Sequence, residues 1–224
     1  MQSSESILAC IVLTNYNGAE KGFLQRNLES FHRNLRGSIS EIAKVYVVDD
    51  GSKDKSKEIL SDFSKKMGNG LVRILYTAEL KAIKTFNYGI LEARKEYPKC
   101  KYVITFDQDV CVGDNFFKTM IEHAEKSETC IGMFASNQYI LEEYPKASIH
   151  RSTGHYYLKS GACKDRDYLE KLANKNKKIL CSCFSGCLLK TKMLDEIGNL
   201  PNEEYVNYYN CPELVQSSVL RLES

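Results

Sequence analysis

The feature that most restricts this chain is an alternation. From residue 7 to about residue 135, short apolar runs rich in β-branched residues are each followed by a polar break and then by a stretch of helical period. Ile7 to Leu13 is continuously apolar, as a parallel strand covered on both faces must be. Thr14-Asn15-Tyr16-Asn17-Gly18 breaks it, and Leu24, Leu28 and Phe31 then predict a helix to about Asn34. Lys44 to Val48 predicts a second strand, ending in Asp49-Asp50-Gly51-Ser52. Ser52 is the expected N-cap of a helix that buries Ile59, Leu60 and Phe63. Leu71 to Tyr76, Tyr102 to Phe106 and Cys130 to Ala135 predict further strands. Phe86, Ile90 and Ala93 mark one intervening helix, and Phe117, Met120, Ile121 and Ala124 mark the next. This rhythm means βαβ units, right-handed crossovers and a mostly parallel sheet. Open α/β sheets bind ligands at the carboxyl ends of their strands, and that is where the polar clusters fall.

After residue 140 the rhythm is lost. His150 to Lys178 is polar, basic and poorly periodic, so it reads as a long excursion, with His150 and His155 inside it. Leu180 to Leu189 is strand-like, and Thr191 to Ile197 predicts a short helix closed by Gly198. The expected organisation is one domain over 1–224, with a ligand-binding half at 1–135 and a smaller, partial half at 136–224.

Composition narrows the function. Lys and Arg total 31 against 29 Asp and Glu, a balance that gives no support to a nucleic-acid partner. The 9 cysteines are odd in number and irregular in spacing, and most sit in apolar runs, which reads as a reduced, cytoplasmic chain. Cys181, Cys183 and Cys187 lack the paired spacing of a zinc knuckle, so buried strand cysteines are preferred to a zinc-linked interaction module. No apolar stretch approaches the length of a membrane span, so any membrane contact is expected to be peripheral.

Three strand ends carry chemistry. Asp107-Gln108-Asp109 places two carboxylates close together, which at 4 Å and an effective dielectric of about 20 costs roughly 4 kcal/mol. A hard divalent cation removes that repulsion, and Mg2+ or Mn2+ is typically held by one or two carboxylates plus substrate phosphates. The alternative is an ordinary acidic turn. At Asp49-Asp50-Gly51-Ser52 an acid can accept hydrogen bonds from a base or ribose, and Gly51 permits close approach; a plain strand–turn–helix connection is the alternative. In Thr14-Asn15-Tyr16-Asn17 the amides can read a base edge and Tyr16 can stack on it; a capped turn is the alternative.

Together, Leu-Thr-Asn-Tyr-Asn-Gly, Val-Val-Asp-Asp-Gly-Ser, Asn87-Tyr-Gly-Ile and Phe-Asp-Gln-Asp-Val resemble the family 2 glycosyltransferases of the GT-A fold. The Asp-Gln-Asp form looks most like the bacterial rhamnosyltransferase branch. Phe184-Ser-Gly-Cys-Leu-Leu-Lys190 and Leu194-Asp-Glu-Ile-Gly198 resemble the stretch before the acceptor site. The resemblance covers about residues 7–215. It implies a Rossmann-like, mostly parallel sheet flanked by helices. It implies inverting, Mn2+- or Mg2+-dependent transfer from a nucleoside-diphosphate sugar to a saccharide or lipid-linked glycan. In that scheme Thr14, Asn15, Tyr16, Asn17, Asp49 and Asn87 bind the donor, and Asp50 and Ser52 shape its pocket. Gln108 also binds the donor, Asp107 lies near the ribose, and Asp107 and Asp109 hold the metal.

The chain departs from the family pattern in three places. Asn207 and Asn210 stand where the resembling branch has Asp, and a neutral amide is no general base near pH 7. Glu213 is the nearest replacement, with Glu203 and Glu204 behind it. The usual Asn-x-Gly near residue 81 is absent, replaced by a stretch containing Leu80-Lys-Ala-Ile. The acceptor half is also expected to be shorter than the family's, either because the chain is truncated or because that half is unusually small. A nucleotide-sugar binder without transferase activity is therefore the first rival. A nucleotidyltransferase is the second, weakened because Thr14 to Gly18 is neither Gly-rich nor basic.

Overall fold

A computed structural model describes residues 9–35, 42–127, 131–138, 151–152, 155–157, 163–165 and 185–197. Its centre is β1 (Ala9–Asn15), buried along its whole length. α1 (Phe23–Leu35), β2 (Ile42–Asp49), α2 (Ser56–Met67), β3 (Val72–Tyr76), α3 (Ala82–Glu96), β4 (Tyr102–Asp107), α4 (Phe116–Glu125) and β5 (Met133–Ala135) follow. β6 (Asn137–Gln138) pairs with β7 (Arg151–Ser152), and β8 (His155–Tyr157) with β9 (Cys163–Asp165). β10 (Cys187–Lys190) and α5 (Thr191–Ile197) close the order.

The main sheet has six strands in the order β3-β2-β1-β4-β10-β5. The first four are parallel, as the alternation predicts. β10 is the exception: it lies antiparallel between β4 and β5. That insertion sets the strand-end geometry described below, and no local pattern announces it, because the pairing joins segments about eighty residues apart in sequence.

Strand alternation sorts the core onto two faces. Ala9, Ile11 and Leu13 meet Leu24, Leu28 and Phe31 of α1, Leu60 and Phe63 of α2, and Phe117 and Ile121 of α4. Cys10 and Val12 turn the other way, against Phe86 and Ile90 of α3 and Met193 and Leu194 of α5. Each of the Val, Leu, Ile, Phe and Met side chains among these contributes about 1.5–3 kcal/mol when fully buried. Phe31 packs edge-on against Phe106 and Phe117, with ring centroids 4.9 and 5.3 Å apart, which ties α1 to β4 and α4.

α3 lies close on the sheet because residue 89 has no side chain. A Cβ there would come within 2.5 Å of Val12 Cγ1 and 2.9 Å of Val48 Cγ2. Gly89→Ala is therefore expected to lower stability by about 1–3 kcal/mol. A urea midpoint equal to that of the wild type would show that α3 can slide away freely.

Cys10 and Cys187 are buried in strands, as expected, and Cys181 and Cys183 lie outside the described residues. Gly198, most of the His150–Lys178 excursion and residues 198–224 lie outside them too. Among the described residues, no helix is long and apolar enough to cross a membrane.

One local expectation fails. Ser52 does not cap α2, which begins at Ser56 with Lys55 in the capping position and no side-chain cap bond there. Asp54 does that work, accepting the Ser56 N–H at 2.9 Å. The Ser52 hydroxyl is engaged elsewhere.

Candidate functional site

Parallel register brings three polar strand ends side by side: Asn15 pairs with Asp49, and Thr14 with Asp107. The turns that follow are knitted together by side chains. The Asn15 amide donates to Asp49 Oδ1 at 2.6 Å and to Ser52 Oγ at 3.1 Å. Ser52 donates its hydroxyl to Asp49 Oδ1 at 2.5 Å and its N–H to Oδ2 at 3.3 Å. Ser52 Oγ also accepts the Asn17 N–H at 2.9 Å, and Asn17 Oδ1 accepts the Lys53 N–H at 2.8 Å. Asn17 adopts φ +50°, which asparagine tolerates better than most residues. Asp49 is fully buried and Asn15 is 1% exposed, so these groups build the rim from inside.

Gly18 is part of the same construction. A Cβ there would lie 2.4 Å from Asn15 Oδ1, 2.9 Å from Gln108 Cγ and 3.1 Å from Leu24 Cβ. Asn15 Oδ1 is itself buried and has no hydrogen-bond partner among the described residues.

The second acid of the pair holds a neighbouring turn. Asp50 accepts the Thr77 hydroxyl and the Leu80 N–H on Oδ1 and the Lys81 N–H on Oδ2, each at 2.8 Å. Burial opposes its charge. The hydrogen bonds from Thr77, Leu80, Lys81 and Thr85 outweigh that and hold the carboxyl below the usual aspartate value. The turn it holds contains Glu79 at φ +54° and Lys81 at φ +68°, ψ 150°. The Lys81 conformation is one that essentially only glycine adopts at ease, and other residues pay about 1–3 kcal/mol for it. The missing Asn-x-Gly is thus replaced in sequence while the backbone keeps a glycine-like path. Lys81→Gly is expected to raise stability by about 1 kcal/mol, the strain relief being partly offset by glycine's freedom in the unfolded chain. A lower urea midpoint in that variant would refute the strain.

The third strand end completes the rim. Asp107 is half-buried, and its Oδ1 accepts the Thr14 hydroxyl at 3.2 Å. Gln108 exchanges two bonds with the Tyr16 backbone, its Oε1 accepting the N–H and its amide donating to the carbonyl, both at 3.3 Å. Asp109 is exposed and enters no hydrogen bond or ion pair among the described residues. Tyr16 is 51% exposed on the same rim. Asn87 is buried on α3, near its N-terminal end.

Residues of α1 that the sequence argument passes over fix this third turn. The Asn27 amide donates to Val110 O at 2.5 Å and to Asp107 O at 3.4 Å. Ser30 Oγ accepts the Val112 N–H at 3.0 Å, and Asn34 Oδ1 accepts the Phe116 N–H at 3.1 Å. The available signal was their position, since Asn27 interrupts the apolar stripe of Leu24, Leu28 and Phe31.

The expected residues therefore divide into two groups. Thr14, Asn15, Asp49, Asp50 and Ser52 are buried and bound to one another or to neighbouring turns. Tyr16 and Gln108 lie further out, joined by their mutual hydrogen bonds, and the exposed Asp109 follows Gln108 directly in the chain. Asn207, Asn210 and Glu213 lie outside the described residues. A divalent cation fits what is present. Asp107 and Asp109 offer hard oxygen donors from one turn, Asp107 is braced, and Asp109 has no competing partner among the described residues. No group of three or more His, Cys, Asp or Glu able to hold a metal forms among those residues.

Residues 10–198 match the family model described as glycosyl transferase family 2. The chain belongs to that family. No curated protein sequence matches this chain significantly. Solved structures do match its fold. The mannosyltransferase PcManGT from Pyrobaculum calidifontis, in complex with GDP-Man and Mn2+, aligns at TM-score 0.62 and 10% identity, over 89% of this chain and 49% of its own. S. aureus TarS aligns at TM-score 0.59 and 16% identity, over 96% of this chain and 34% of its own. GalNAc-T7 with UDP, GalNAc and Mn2+ aligns at TM-score 0.62 and 12% identity, over 97% of this chain and 41% of its own. The chain has their GT-A architecture, and it spans half or less of the length of each.

Proposed function

We propose that this glycosyltransferase moves a sugar, rhamnose-like by the Asp-Gln-Asp signature, from a nucleoside diphosphate to a saccharide or lipid-linked glycan. The observation that carries the proposal is the hydrogen-bonded rim across β2, β1 and β4, which ends in the exposed carboxylate of Asp109. Mn2+ complexes among the fold neighbours support a cation at that end.

In this scheme Tyr16 and Asn17 face the nucleoside, with Asn15, Asp49, Asp50, Ser52 and Asn87 behind them. Asp49 acts mainly by holding Asn15 and Ser52, because its carboxylate is already engaged. Gln108 lies beside the ribose. Asp107 and Asp109 would hold Mn2+ or Mg2+, whose chemistry when bound is to neutralise the departing diphosphate. Glu213 would deprotonate the acceptor hydroxyl for in-line, inverting attack. The nucleotide half is 1–135 and the acceptor-side half 136–224. The acceptor would be met at the cytoplasmic face of a membrane through peripheral contact, with no nucleic acid involved.

A second proposal, a nucleotide-sugar binder without transfer, is favoured by Asn207 and Asn210 at the expected base positions. A melting screen with UDP, GDP and dTDP, with and without Mn2+, tests donor class and cation need together, because bound ligand raises stability by mass action. Stabilisation that needs Mn2+ supports the site, and none with any diphosphate removes it. Labelled donor then separates the two proposals. Transfer or hydrolysis identifies the enzyme, and binding without either identifies the binder.

A further inference from the structure

Two buried hydroxyls grip Asp107 from different directions. Thr14, 7% exposed at the end of β1, donates to Asp107 Oδ1 at 3.2 Å. Ser185, 6% exposed, accepts the Asp107 N–H at 3.0 Å across a separation of 78 residues. Neither partner has much freedom. Thr14 stands opposite Asp107 in the parallel β1–β4 register. The turn carrying Ser185 is stapled on both sides: the Gly186 N–H donates to Thr105 O at 2.8 Å, and Gly186 O accepts the Ser136 N–H at 3.1 Å. Gly186 has φ +72°, and a Cβ there would come within 2.4 Å of Ser136 Oγ.

We infer that Thr14 and Ser185 are positioning residues for the cation-binding carboxylate of Asp107. Thr14 sets the side-chain rotamer, and Ser185 sets the backbone from which the carboxylate projects. Thr14 then acts on the metal side of the site rather than on the nucleoside. Ser185 begins the β10 turn, so the segment that returns from the acceptor side of the chain also braces the donor side. Ligating carboxylates are themselves hydrogen-bonded, and loss of such an outer partner typically lowers metal affinity about 10–100-fold. The inference rests on the proposed cation site, and its test separates the two.

Mn2+ uptake is followed by electron paramagnetic resonance with UDP, GDP or dTDP present, in the wild type, Thr14→Val, Thr14→Ser and Ser185→Ala. Thr14→Val and Ser185→Ala are each expected to weaken Mn2+ uptake about tenfold or more. Thr14→Ser, which keeps the hydroxyl, should remain close to the wild type. Binding of uridine, guanosine or thymidine without metal should be the same in all four proteins. Unchanged Mn2+ uptake in both Thr14→Val and Ser185→Ala overturns the inference. So does a parallel loss of nucleoside binding and melting temperature in both, which marks the hydroxyls as structural only. A wild type that takes up Mn2+ with none of the three diphosphates overturns the transferase proposal, and this inference with it.

Discussion

Asp109→Asn is expected to weaken nucleoside-diphosphate binding in Mn2+ about a hundredfold, the upper end of what the loss of an outer partner costs, and to leave binding of the bare nucleoside unchanged. The change is nearly isosteric and removes only the charge. Because Asp109 is exposed and engages no described partner, the substitution disturbs no internal contact. The melting temperature without ligand should therefore stay where it was. Calorimetry with diphosphate, with and without Mn2+, reads the effect directly. Equal affinities in the wild type and the variant would remove Asp109 from the cation site.

Asp49→Ala acts by a different route. It strips the acceptor from three donors: the Asn15 amide, the Ser52 hydroxyl and the Ser52 N–H. Each buried donor left without a partner costs about 1–3 kcal/mol, so a total near 3 kcal/mol is expected. For a chain of this size that corresponds to a fall in Tm of roughly 10 °C. Nucleoside affinity should drop with or without Mn2+, since Asn15 and Ser52 lose their anchor and the turn at Asn17 loosens with them. Asp49→Asn keeps the shape and offers one acceptor oxygen, so it should fall between the wild type and Asp49→Ala. A stable Asp49→Ala protein with undiminished nucleoside binding would place this carboxylate outside both fold and function.

The contrast between these two acids shows how far the sequence could be read. Apolar runs and helical spacing were enough for the parallel strands and their helices, because each is a local pattern imposed by burial on a known period. The clustering of Asn15, Asp49 and Asp107 followed from the rule that ligands bind at strand ends. Their division of labour did not. Asp49 and Asp109 are the same residue type at or just beyond a strand's carboxyl end, yet one is fully buried and occupied and the other is exposed and without a partner among the described residues. That difference depends on neighbours from other strands. Ser52 shows the same limit, since its sequence context suits a helix cap while the Asn15 and Asp49 side chains claim its hydroxyl. Asn27 escaped notice because a single polar residue in an apolar stripe becomes meaningful only when a loop from 80 residues away arrives to accept its amide.

The place of β10 bears on how the chain is made. Among the described residues β5 pairs in the main sheet only with β10, and one side of β4 waits for the same partner. A nascent polypeptide that has reached residue 135 but not residue 190 carries two strands with bare edges, the kind of template on which aggregation starts. The ribosome must deliver the late strand before those edges are quenched. Synthesis stalled within that interval leaves those two edges open to misassembly.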